Sequence, residues 1–131
     1  LGDVTKIMGT GDYVASLLNS QFPQFSLLAV LFVLSAFTAF SIGSSWGTFA
    51  IMIPLAVPLA LSVGLPPAPF IAAAISGGIF GDHSSPISDT TVMASLAAGT
   101  DHIDHVKSQL PYALIAGGLS IVVYLGLGLT L

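Results

Sequence analysis

The chain reads as an all-α integral membrane protein whose helices are interrupted at two polar points, and three observations lead there. Hydrophobic residues make up 54% of the 131 residues and charged ones only 6%, against about 25% charged in a soluble domain. Two basic and six acidic side chains cannot clothe a chain of this size in water, so most of its surface must face lipid or other apolar protein. Apolar runs near spanning length alternate with short glycine, serine and threonine clusters. The charge is also concentrated: the acidic residues are all aspartates, and four of the six lie between Asp82 and Asp104. The net charge of −4 is therefore not an acidic surface, and the absence of cysteine excludes disulfides and thiol chemistry. The chain opens on leucine with no signal peptide ahead of its first hydrophobic run, which reads as a missing start or a fragment.

Residues 1–24 are of mixed polarity, with a turn at Gly9-Thr10-Gly11-Asp12. Asp12 is placed to cap a short helix through Tyr13, Val14, Leu17 and Leu18, an interfacial segment. From Phe25 to Ile42 runs a charge-free apolar stretch of 18 residues, enough to cross about 27 Å as a helix. Gly43-Ser44-Ser45-Trp46-Gly47-Thr48 interrupts it, and apolar sequence resumes from Phe49 to Val63 with Pro54 and Pro58 inside. Residues 25–63 are thus either a hairpin or two helices. After the turn at Gly64-Leu65-Pro66-Pro67, Ala68–Phe80 is short for a span, and Val92–Ala98 is shorter still. Residues 68–98 are expected to form one crossing broken near 81–91. A polar interfacial segment, 99–109, precedes a transmembrane helix over 110–131, where Pro111 suits the first turn. Lys6 and Lys107, the only basic residues, are too few to orient the chain.

The interruptions carry the functional signal. Backbone in hydrocarbon needs internal partners, so non-helical segments survive there only inside protein or along a polar cavity. Glycine- or proline-interrupted apolar segments point to a secondary transporter's binding site, where carbonyls and hydroxyls replace an ion's hydration shell. For residues 43–48 an ordinary loop competes with a re-entrant hairpin tipped by Ser44 and Ser45, and Trp46 suits a headgroup interface. For residues 81–91 a loop would leave two spans that are too short.

Asp82 and Asp89 lie seven residues apart. Gly81 and Pro86 argue against a continuous helix, so the carboxylates are expected to converge across an unwound turn. Intramembrane carboxylates are expensive and are functional candidates by default. Competition of a proton and a cation for the same oxygens suffices to couple two fluxes. His83 is read as a support for a neighbouring carboxylate, with proton carriage the other role open to it. Ser84, Ser85, Ser88, Thr90 and Thr91 are ion ligands or helix caps. Asp101-His102-Ile103-Asp104-His105 superficially looks like a metal site. No closing ligands are evident, and Asp101 after Gly99-Thr100 is a natural helix start. A solvated interfacial helix near a gate is the better reading.

Three stretches carry a family resemblance: Ser44-Ser45-Trp46-Gly47-Thr48-Phe49; Gly81-Asp82-His83-Ser84-Ser85-Pro86-Ile87-Ser88-Asp89-Thr90-Thr91; and the run from Asp101 to Ala113. In order and along the whole chain they resemble the NhaC family of sodium/proton antiporters, in its C-terminal portion. The resemblance implies one half of an inverted-repeat transporter, each repeat giving a re-entrant hairpin and an interrupted helix. It assigns Ser44, Ser45 and Thr48 to a hairpin-tip motif and Asp82, Ser85, Ser88, Asp89 and Thr90 to a broken-helix motif. The partners it implies are the bilayer, the missing N-terminal repeat and a further copy in a homo-oligomer, in a bacterial plasma membrane. No cofactor is implied beyond transported Na+ and H+, and neither enzymatic chemistry nor nucleic-acid binding is expected. Sodium/proton antiport is the leading function. Coupled exchange of an organic anion (malate/lactate type) or an amino acid is the alternative, and a channel or structural membrane subunit is the reading from another class.

Overall fold

A computed structural model describes residues 2–131, with the side chains of Gly2, Thr5, Lys6 and Asn19 outside the described set. Among the described residues seven α-helices follow one another: α1 (Gly2–Ile7), α2 (Thr10–Gln21), α3 (Leu27–Ile42), α4 (Ser45–Ser62), α5 (Pro67–Ser84), α6 (Asp89–Ala98) and α7 (His102–Thr130). A single 3₁₀ turn, Gln24–Ser26, leads into α3. Among the described residues, the segments Gln24–Ile42, Ser45–Ser62 and His102–Thr130 are long and apolar enough to cross a membrane. The chain is thus an all-helical membrane protein, as its composition requires.

The core is the packing of α3 on α5, with α4 beside α5, α2 against α4, and α7 across α3 and α5. Small residues set the closest of these contacts. Gly77 lies on the Phe32 carbonyl and Gly81 on the Ala36 carbonyl, so close that a β-carbon at either would overlap the backbone of α3. Ala73, Gly77 and Gly81 recur every fourth residue and form one small-residue stripe, which lets two helix backbones approach where lipid supplies no hydrophobic drive. This four-residue spacing is what brings the end of α5 against α3. The Ser35 hydroxyl donates to the Ala74 carbonyl across the same seam. Helix α7 is pinned by Tyr124, whose hydroxyl lies 2.6 Å from Ser76 Oγ, and by Gly117, which admits the Phe80 ring. Phe32 completes an aromatic cluster with Phe80 and Tyr124, at centroid distances of 5.8 and 5.5 Å.

Several boundaries differ from those expected. Asp12 lies in the first turn of α2 rather than at its cap, which is Gly9 in the left-handed region. The polar segment 99–109 and the span 110–131 are one helix, α7, starting at His102 with Pro111 inside it. Pro111 and Lys107 are both exposed, so the carbonyl that the proline leaves without an N–H partner sits at the surface. The first interruption shrinks to Gly43 and Ser44. Gly43 closes α3 at φ 73°, and Ser44 caps α4 by accepting from the Gly47 N–H. The second shrinks to residues 85–88, because α5 continues through Gly81 and Asp82 to Ser84. A glycine costs a helix only about 1 kcal/mol, and its close approach to α3 offsets that.

Candidate functional site

The two interruptions meet in space. A β-carbon on Gly43 would stand 2.9 Å from the Ile87 carbonyl oxygen, so the α3–α4 turn lies directly on the α5–α6 break. The fully buried Ser85 donates its hydroxyl to the Phe40 carbonyl at 2.7 Å. Phe40 is in the last turn of α3, where carbonyls have no helical partner. Gly43 must be glycine twice over: its φ is positive and Ile87 occupies the space a side chain would need.

Asp82 stands at the centre, in the last turn of α5 and only 7% exposed. Its Oδ1 accepts the Ser88 hydroxyl at 2.6 Å and its Oδ2 the Thr90 hydroxyl at 3.3 Å. Ser88 Oγ also caps α6 by accepting from the Thr90 N–H at 3.2 Å, and it lies 2.7 Å from Thr90 Oγ1. Asp82, Ser88 and Thr90 therefore form one knot of four oxygens, built where one half-helix ends and the next begins. Hydroxyls that donate to a carboxylate in this way can turn their oxygens toward a small cation instead. The Ser88 hydroxyl both caps α6 and donates to the buried carboxylate, which is why a serine stands at the start of α6.

The other predicted residues are placed differently. Asp89 is exposed, and its Oδ1 accepts the Thr90 N–H at 2.8 Å. No hydrogen bond joins it to Asp82 among the described residues, so the structure does not bring the two carboxylates together by direct contact. The His83 ring is also exposed; it is the His83 backbone carbonyl that takes part, accepting from Thr91 Oγ1 at 3.3 Å and from the Gln109 side-chain amide. Ser84 donates back to the Phe80 carbonyl at 2.8 Å. At the turn, Thr48 is fully buried and donates to the Ser44 carbonyl at 2.9 Å, while Ser44 and Ser45 are half-buried. Ser44, Ser45 and Thr48 make no hydrogen bond to Asp82 among the described residues; they approach the break through Gly43.

The 101–105 cluster divides by role. Asp101 caps α7, its Oδ1 accepting from the N–H groups of Ile103 and Asp104 at 2.9 and 3.2 Å. His102 is turned to the break, with Nε2 2.6 Å from the Pro86 carbonyl and Nδ1 2.9 Å from Ser95 Oγ. His105 Nε2 is buried without a partner, and Asp104 is exposed. The contacts of His102 and Gln109 escaped the sequence reading, which took His102 only as part of an interfacial cluster, because both residues lie in α7 and their carbonyl partners lie at or before the break. Their only sequence signal is the seven-residue spacing of His102 and Gln109.

The sequence has relatives of known kind. A match to the profile of the Na+/H+ antiporter family extends over residues 1–129. The chain belongs to the Na+/H+ antiporter family. It is 41% identical over 98 residues to the arginine/ornithine antiporter ArcD of Halobacterium salinarum, covering 74% of this chain and 20% of that protein. It is 34% identical over 107 residues to the malate-2H+/Na+-lactate antiporter of Bacillus subtilis, covering 81% and 22% respectively. With the Na+/H+ antiporter NhaC of Alkalihalophilus pseudofirmus it shares 28% identity over 116 residues, 88% of this chain and 24% of the relative. The chain thus spans about a quarter or less of the length of these relatives. No solved structure matches.

Proposed function

We propose that this chain supplies part of the ion path of a secondary antiporter, with sodium and protons competing for a site centred on Asp82. The observation that carries this is the buried Asp82 carboxylate, with each of its oxygens met by a hydroxyl, Ser88 or Thr90, at a break between two helices. A hydroxyl can donate to a carboxylate when the site is empty and turn a lone pair toward a cation when it is filled. Protonation of Asp82 removes the negative charge that a sodium ion needs, so the two cargoes exclude one another. Ser85, Ser44, Ser45 and Thr48 belong to the surrounding shell, and Asp89 to the mouth of the site. In this reading α3 and α4 form a re-entrant hairpin whose tip at Gly43–Ser44 rests on the break. The remaining length of the transporter supplies an inverted repeat with a second hairpin and a second broken helix. The assembly sits in a bacterial plasma membrane, alone or as a homo-oligomer.

The test uses the intact gene product carrying this segment, reconstituted in proteoliposomes with a pH-sensitive dye inside. A sodium gradient alone should move protons, and Asp82→Asn should abolish that movement. Proton movement that strictly requires an added organic substrate would sink sodium/proton exchange as the activity. A second reading then stands: coupled exchange of an amino acid or organic anion. It is favoured by the 41% identity to the relative named for arginine/ornithine, above the 35% and 28% to two relatives named for Na+/H+ antiport. The same vesicles loaded with a candidate amino acid or dicarboxylate separate the two.

A further inference from the structure

Breaking a helix frees carbonyl groups, and each must find a donor in a low-dielectric interior. At this break two of them, those of His83 and Pro86, could have been left for a cation. Instead α7 takes both, sharing the His83 carbonyl with the Thr91 hydroxyl. The Gln109 side-chain amide donates to the His83 carbonyl, and the His102 ring meets the Pro86 carbonyl at 2.6 Å. These two α7 residues are seven apart, two helical turns on one face. His102 stands in the first turn of α7, which Asp101 caps. The same ring touches Ser95 of α6, whose hydroxyl lies 2.8 Å from the Thr91 carbonyl. One face of α7 therefore grips the end of α5, the break and, at Ser95, the second half of α6.

The chemistry of the ring partners is asymmetric. A carbonyl only accepts, so His102 Nε2 must carry a hydrogen to bond Pro86. The Ser95 hydroxyl has one hydrogen, so it either donates to Nδ1 or accepts from Nδ1 while donating to the Thr91 carbonyl. The bond to Pro86 thus persists in either charge state of the ring. Its consequence reaches Asp82: Ser88, two residues beyond Pro86, presents its hydroxyl to Asp82 Oδ1 only while residues 85–88 keep this path.

We propose that His102 is a positioning residue for the ion site, and that His102 and Gln109 make α7 a splint holding the α5–α6 break in its ligand-presenting form. The inference rests on the reading of Asp82 as the ion carboxylate, and its test has one arm that does not. In the intact gene product in detergent, amide hydrogen exchange over residues 87–92 is compared between wild type, His102→Met, which keeps bulk but loses the donor, and His102→Gln, which keeps an N–H at the corresponding reach. Sodium-driven proton movement is measured in parallel in vesicles, per molecule of folded protein. His102→Met should speed exchange over 87–92 and raise the half-saturating sodium concentration, each by about tenfold, the scale of one net hydrogen bond, with the maximal rate retained. His102→Gln should stay within about twofold of wild type in both. Unchanged protection in His102→Met, or equal impairment of the two variants, overturns the splint. Should His102→Met not accumulate in the membrane, Gln109→Met reads the same splint at the His83 carbonyl, and an unaffected Gln109→Met overturns it. If Asp82→Asn leaves sodium-driven proton movement intact, the site reading fails, while the exchange arm still judges the splint.

Discussion

Replacing Gly81 with alanine tests the packing that presents Asp82. The new β-carbon would overlap the Ala36 carbonyl oxygen, stand 2.8 Å from the Ala36 carbonyl carbon and 2.9 Å from Ala39 Cβ. Ordinary carbon–carbon contact is about 3.5 Å, so α3 must retreat by about 0.7 Å at that carbon and by more at the oxygen. None of the opposing atoms is the end of a flexible side chain. Overpacking against backbone costs about 3 kcal/mol at the upper end of its usual range, and the better helix propensity of alanine returns about 1 kcal/mol. The expected net loss is about 2 kcal/mol. Gly118→Ala on α7 is the matched control, because a β-carbon there meets nothing within 4 Å. It should stabilise by about 0.5–1 kcal/mol. Thermal unfolding of the intact protein in detergent reads both, and sodium-driven proton movement reads the displacement of Asp82. Gly81→Ala should lower the midpoint and weaken sodium dependence, whereas Gly118→Ala should raise the midpoint and leave transport alone. Equal midpoints for the two variants would refute the close α3–α5 approach as the device that sets Asp82 in place.

Further expectations follow from individual contacts. Asp82→Asn should remove exchange outright, while Asp89→Asn, which keeps an acceptor for the Thr90 N–H, should cost less than about threefold, the scale of a surface helix-dipole effect. Equal losses in vesicle flux would show instead that the carboxylates work as a pair. Ser88→Ala deletes both the 2.6 Å bond to Asp82 and the cap of α6, so sodium affinity should fall by at least tenfold, as expected for a bond to a charged acceptor worth about 1.5–3 kcal/mol. A thermal double-mutant cycle on Tyr124→Phe and Ser76→Ala should give a coupling of about 1 kcal/mol, and zero coupling would discount their 2.6 Å contact. Asp101→Ala should destabilise the first turn of α7 by about 1 kcal/mol. Hydrogen exchange at Ile103 and Asp104 is the direct readout, and unchanged protection there would rule out the cap.

The membrane class, the long apolar stretches and the residues around the break were legible in the chain because they depend on local quantities. Length, apolarity and proline or glycine placement act over a few neighbours, and a serine ahead of an apolar run marks a helix start without help from elsewhere. Boundaries were less legible. Gly81 looked like a breaker and is a packing residue inside α5, since its missing side chain serves a neighbour forty-five residues away in the chain rather than the local backbone. Pro111 looked like a first-turn residue and lies within α7. Asp82 and Asp89 are seven apart in sequence, yet one is buried under two hydroxyls and the other lies exposed at the surface.

What the sequence determined by itself was that a charged, serine- and threonine-rich break had to exist inside an apolar chain, and that Asp82 was one of its costly residues. Only the tertiary structure decided which hydroxyls reach Asp82, that the α3–α4 turn rests on the break at Ile87, and that His102 and Gln109 close its free carbonyls. The physical reason is the same in each case. A broken helix must satisfy its polar backbone from outside the segment, and the donors that do so come from helices whose nearness no local pattern records.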